Sequence, residues 1–171
     1  MLVPYASLQH EYPEYYSGDP AFEAPPEPPP AEAAAELVAA YRKARKLYDD
    51  RVDAARERSD WNGLRVTGTP EPTKFILRPL PTDALAQLTD MATARTIGRT
   101  ELAVLAFRIA LVRVENLGDA KVSFENHPRF GRIATTKFLD DARIPAAVSI
   151  AVAQEIGGAA LERASRIDPK P

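Results

Sequence analysis

The stretch ELAVLAFRIALVRVENL, residues 101–117, decides how the chain is read. Leu102, Leu105, Ala106, Ile109 and Val112 recur at three- and four-residue steps and would share one stripe of a helix. Val104, Phe107, Leu111 and Val114 make the opposite side apolar as well. Only Arg108 and Arg113 interrupt, and their long stems can carry the charge outward. The pattern predicts one helix covered on most sides. Thr100 is its expected N-cap, Glu101 suits the positive helix end, and Asn116 and Gly118 supply the stop. A membrane span is not expected, because the apolar run is short and holds two arginines. Such a helix needs neighbours, and the flanking segments must supply them.

On the N-terminal side, TDALAQLTDMA opens at Thr82 and Asp83, with Leu85, Leu88, Met91 and Ala92 on its apolar side, and ends by Gly98. It forms an αα-hairpin with the central helix. Further upstream, LRVTGTPEPTKFILRPLP predicts a two-stranded hairpin, with strands near 64–67 and 73–78 around Gly68, Pro70 and Pro72. Residues 31–58 are rich in good helix formers and predict a long helix. Leu37, Tyr41, Ala44, Tyr48 and Val52 lie on one stripe of it, with Ala40, Leu47 and Ala55 beside them. The run Arg42–Lys46 reads as a solvated helix face. Trp61, the single tryptophan, is expected to pack under the junction that follows.

Downstream, residues 120–125 predict a strand, 126–131 a loop, 132–136 a short returning strand and 137–142 a helical turn. The last element, residues 144–166, is a helix opened by Pro145. Gly157 and Gly158 either admit a neighbouring backbone or break it.

Composition draws one boundary. Eight of the 16 prolines and five acidic residues fall in residues 1–30, which hold no lysine or arginine. Residues 31–171 then carry 22 basic against 19 acidic residues. The expected organisation is an extended acidic Pro/Tyr-rich arm, 1–30, and an α-rich globular domain, 31–171. The fold class is α+β, mostly α: a small helical domain with one or two short β-hairpins, a long helix before it and a disordered arm. The net charge of −2 offers no global field for nucleic acid. The absence of cysteine removes disulfides and thiolate metal sites. No basic and apolar leader opens the chain, so no secretory signal is expected.

Few residues carry the spacing that chemistry needs. His10 and His127 have no second ligand at metal spacing. Adjacent carboxylates, Asp49–Asp50 and Asp140–Asp141, would point about 100° apart on a helix, which is poor geometry for an acid–base pair. Ser149 and Ser165 lack a base nearby in sequence. Phe75, Phe107, Phe124, Phe130 and Phe138 are spaced as core residues. The expectation is therefore no enzyme, no cofactor, no metal, no nucleic acid and no membrane, and a protein partner with homo-oligomers possible. Exposed aromatic and apolar anchors would make the contact: Tyr12, Tyr15, Tyr16 and Phe22 in the arm, and Leu37, Tyr41 and Tyr48 on the first helix.

The order of elements over residues 64–166 resembles the tail assembly chaperones of long-tailed bacteriophages. The residues that carry this are the strand KFILRPLP with its Arg78–Pro79–Leu80 step, the helix ALAQLTD, the apolar helix, the linker AKVSFEN and the closing RIPAAVSIAVAQEIGGAALERAS with its Ile144–Pro145 step. The resemblance implies a non-enzymatic protein of the host cytoplasm. It would keep the helical tape measure protein soluble during tail morphogenesis until tube subunits replace it. Two other roles fit the same residues: a structural tail or baseplate component of the virion, and a small regulatory protein that binds a host partner through its N-terminal arm.

Overall fold

The computed structural model describes residues 10–118, 121–135 and 146–166. Its elements are β1 (Tyr12–Tyr15), α1 (Ala35–Arg58), a single 3-10 turn (Asn62–Leu64), β2 (Lys74–Leu77), α2 (Thr82–Thr93), α3 (Arg99–Ala110), β3 (Leu111–Glu115), β4 (Phe124–His127), β5 (Gly131–Ala134) and α4 (Ala146–Ser165). The fold is α+β and mostly helical, with two small antiparallel sheets. It divides into two compact units. One holds the described residues up to Tyr16 and from Thr73 onward, and the other is Ser17–Pro72.

In the first unit the decisive stretch is two elements, not one. The helix α3 stops at Ala110, and Leu111 turns to extended geometry (φ −65°, ψ 128°) while its N–H still bonds Phe107 O. From there LVRVE runs as β3 and pairs antiparallel with β2, setting Phe75 opposite Val114 and Leu77 opposite Leu111. The expected helix over 101–117 is thus corrected in its last third. Val112 and Val114 are β-branched and alternate with Arg113, a pattern a pleated strand accommodates well. A continuous apolar run hides the change of period, because helix and buried strand look alike in it. Asn116 and Gly118, both at positive φ, end the strand and not the helix. At the other end Gly98, not Thr100, is the N-cap, and its N–H donates to the Glu101 carboxylate at 3.1 Å. Thr100 Oγ1 accepts instead from Gln154 Nε2 of α4 at 2.9 Å.

The central strand β2 is covered on both edges, by β3 and by β1. That corrects the arm, in which no strand was expected. Tyr12 sits opposite Leu77 and Tyr15 opposite Lys74, so residues 12–15 are the third strand of the sheet. It also corrects the hairpin over 64–78. Leu64 closes the 3-10 turn, and Arg65 makes only an isolated bridge with Phe22. Gly68, at φ +86°, and Pro70 and Pro72 lead the chain away before it can pair with itself. The hairpin β4–β5 forms as His127 opposite Gly131 and Phe124 opposite Ala134, its first strand beginning four residues and ending two residues later than the expected strand at 120–125. The helical turn expected at 137–142, with Asp140, Asp141 and Phe138, and the Ile144–Pro145 step lie outside the described residues.

The core of this unit joins β1, β2, α2, α3, β3, β5 and α4 through Tyr12, Phe75, Leu77, Leu88, Phe107, Ile109, Leu111, Ile133 and Ile156. Phe75 and Phe107 meet edge to face, 6.0 Å between centroids. Along the α3–α4 seam the side chains are small. Ala103, Ala106, Ala110, Ala153 and Ala160 are buried, and a Cβ added at Gly157 would lie 1.9 Å from Ala103 O. Of the two readings for this glycine pair, Gly157 takes the first: the α3 backbone passes where a side chain would be. Gly158 faces open space.

The second unit is built on α1. Tyr48, Val52 and Ala55 are buried in its C-terminal half, and Ala21, Phe22, Trp61 and Leu64 are buried in the same unit. Trp61 stacks on Phe22 at 5.1 Å and lies under the Arg56 guanidinium at 5.5 Å. Backbone bonds from Glu23 N–H to Leu64 O and from Val66 N–H to Ala21 O, both 2.9 Å, hold residues 21–23 to the segment after Trp61. Residues 17–23 are therefore part of a packed unit rather than of a loose arm.

Candidate protein-binding surface

Alanine, glutamate, lysine and arginine give α1 its helicity, and its charges are placed with the helix dipole: Glu36 in the first turn, Arg56 and Arg58 in the last. The C-terminal half is fixed by packing and by polar clamps. The Tyr48 hydroxyl lies 3.2 Å from both Ser17 O and Glu23 O. Arg51 donates to the Glu23 carboxylate and to Gly63 O, each at 2.8 Å. The Arg51 hydrogen bond holds the Glu23 carboxyl below its ordinary range. Ser59 caps the end in the left-handed conformation.

The N-terminal half is different. No residue from 35 to 47 is buried, and no side chain caps the start. Within it Leu37, Ala40, Ala44 and Leu47 recur at steps of three, four and three, and all four are exposed. Leu37 is 53% and Leu47 64% exposed, high values for leucine. That is the spacing of a coiled-coil seam. Arg45 and Lys46 pair with Asp49 and Asp50 one turn on, at 3.0 Å each, along the solvated face. Asp49 and Asp50 are thus ion-pair partners on a helix surface.

The sequence-derived anchors are separated by the structure. Tyr12, Phe22 and Tyr48 are 7%, 4% and 7% exposed and belong to the two cores, so the expectation that they are exposed contacts is corrected. Aromatic side chains in a short unit are its largest source of buried area, and both units use them so. Over the Tyr12 ring sits the Arg163 guanidinium at 4.0 Å, and burial holds the Tyr12 phenol well above the ordinary tyrosine range. Burial also raises Tyr16, which packs partly against the first core. Tyr15 and Tyr41 are half-buried, and Leu37 is exposed as expected. Leu47, placed beside the stripe by the sequence, is the most exposed large apolar residue described. The signal that finds it is the 37–40–44–47 spacing, which lies one helical step away from the 41–48–52 face that packs.

Elsewhere, His127 closes β4. Its Nδ1 accepts from Arg129 N–H at 3.2 Å, and its ring stacks on Phe130 at 5.0 Å. Ser165 Oγ donates to Glu162 O. Among the described residues no three His, Cys, Asp or Glu come together as a metal cage, and no helix is long and apolar enough to cross a membrane. Phe75 and Phe107 are core residues as expected, but Phe124 is 36% exposed. Set against protein families, curated proteins and solved structures, the chain matches none of them.

Proposed function

We propose that this chain is a non-enzymatic binding protein that grips a helical partner with the first half of α1, and that it acts as a phage tail assembly chaperone for the tape measure protein in the host cytoplasm. The observation that carries the reading is the uncovered seam Leu37–Ala40–Ala44–Leu47. A helix segment of thirteen residues with no fully buried side chain and no side-chain cap is marginal in water, and a partner helix laid along it supplies the missing burial. The two alanines in its middle permit close approach, and the two leucines at its ends supply the apolar anchors. Flanking the seam, Arg42 and Lys43 have no carboxylate partner among the described residues, which favours a partner helix with acidic flanks. The tape measure assignment rests on the resemblance of residues 64–166, in the order of their elements, to tail assembly chaperones.

The test is co-expression with the tape measure protein of the same phage. Wild type should hold it in the soluble fraction as a complex, and Leu37→Glu with Leu47→Glu should release it while the circular dichroism spectrum stays unchanged. Failure of wild type to solubilise the tape measure protein overturns the proposal, as does its presence at fixed copy number in purified particles.

A further inference from the structure

In the first unit a second surface has a different chemistry. A cleft of about 250 Å³ lies between β3 and the β4–β5 hairpin, lined by Arg78, Leu111, Val112, Phe124 and Arg132. Three features make it more than a dent. The first is charge. Neighbouring arginines are ion-paired, Arg108 with Glu125 and Arg113 with Glu11 and Glu115. Arg78 and Arg132 face the cleft with no carboxylate partner among the described residues. The second is fixed geometry. Arg78 Nε donates to Ile109 O at 3.0 Å and its Nη2 to Arg132 O at 3.4 Å, so the guanidinium is held at the junction of β2, α3 and β5. The third is an aromatic shelf. The Arg132 guanidinium lies 4.3 Å from the centroid of Phe124, whose ring a core role would have covered.

We propose that this cleft binds an acidic peptide segment of a protein partner, Arg78 and Arg132 taking a carboxylate and Phe124, Val112 and Leu111 taking the apolar side chain next to it. Guanidinium groups that are free of counter-ions and set in place recognise carboxylates with planar, paired hydrogen bonds. The volume falls below the range typical of small-molecule pockets and suits one or two side chains. A nucleic-acid strand fits less well, since it asks for a basic track over many phosphates and the chain has a net charge of −2. The site lies on the first unit and does not depend on what α1 binds.

The experiment selects a random decapeptide library on the full-length protein, then measures the enriched peptides by fluorescence anisotropy. Expected is enrichment of Asp or Glu next to an aromatic or branched aliphatic residue. Affinity for such a peptide should fall at least about tenfold in Arg132→Gln and in Phe124→Ala, be restored only in part in Arg132→Lys, which keeps the charge but not the planar fork, and weaken steadily as NaCl rises. The salt series and a competition with the Asn/Gln version of the same peptide use wild type only, so they stand if a variant misfolds. Enrichment of neutral or basic sequences, no enrichment at all, indifference to salt, equal binding of the amide version, or displacement of the peptide by a single-stranded oligonucleotide in preference to an acidic peptide would each overturn the proposal.

Discussion

Replacing Gly157 with alanine tests the packing on which the first unit is built. An ideal Cβ there would sit 1.9 Å from Ala103 O, 2.7 Å from Ala103 C and 3.0 Å from Phe107 N. All three neighbours are backbone atoms of α3, so no rotamer change relieves the clash. The two helices must part by about 1 Å, and Ala103, Ala106, Phe107, Ala153 and Ile156 then lose close contact. Overpacking of this kind costs about 1–3 kcal/mol, and more where the neighbour is rigid. Alanine's better helix propensity returns about 1 kcal/mol. Because the neighbours are backbone, the upper end of that range applies, and the expected net loss is roughly 2 kcal/mol, which lowers Tm by about 4–8 °C for a chain of this size. The control is the next residue. At Gly158 a Cβ meets nothing within 4 Å, so Gly158→Ala keeps the propensity gain of about 1 kcal/mol and raises Tm by about 2–4 °C. Urea denaturation followed by circular dichroism, with unchanged slopes, reads both. If the two substitutions shift stability in the same direction, or Gly157→Ala is as stable as wild type, the close α3–α4 contact is refuted.

Tyr48→Phe removes the hydroxyl beside Ser17 O and Glu23 O and should cost about 1 kcal/mol, read as a lower urea midpoint by the fluorescence of Trp61 in the same unit. The raised Tyr12 phenol sets a pH dependence. A group whose folded pKa lies above its unfolded value of about 10 gives stability in full below that pH, and the contribution is lost as pH rises past it. Urea midpoints of wild type should therefore begin to fall at about pH 9–10 and go on falling at about pH 11 and above, and Tyr12→Phe should flatten that fall. Leu37→Glu and Leu47→Glu should change stability by no more than about 0.5 kcal/mol, because neither side chain is buried; a larger loss by thermal melting would mean that the seam is already covered.

The residues themselves determined the helices and their order. Periodicity placed α1, α2 and α4, and left the Gly157–Gly158 pair as either a close approach or a break. Those signals are local: 3.6-residue spacing, turn residues and composition act over one or two turns of chain. What only the tertiary structure decided is how the ambiguous segments were used. LVRVE became a strand because β2 offers it an edge, and residues 12–15 became one because the opposite edge of β2 was also open. Proline and tyrosine content suggested a free arm, but a strand needs only a partner within reach, and its partner lies about sixty residues away in sequence. The candidate surfaces divide in the same way. The sequence put Leu37 and Ala44 on the stripe of α1 with Ala40 and Leu47 beside it and expected Leu37 to be exposed, but it did not set these four apart as an open seam, since periodicity names two adjacent faces of α1 and only packing shows which one Tyr48, Val52 and Ala55 consume. The Arg78–Arg132–Phe124 cleft draws on β2, β3 and the β4–β5 hairpin, and no spacing along the chain could bring those residues together before the sheets were formed.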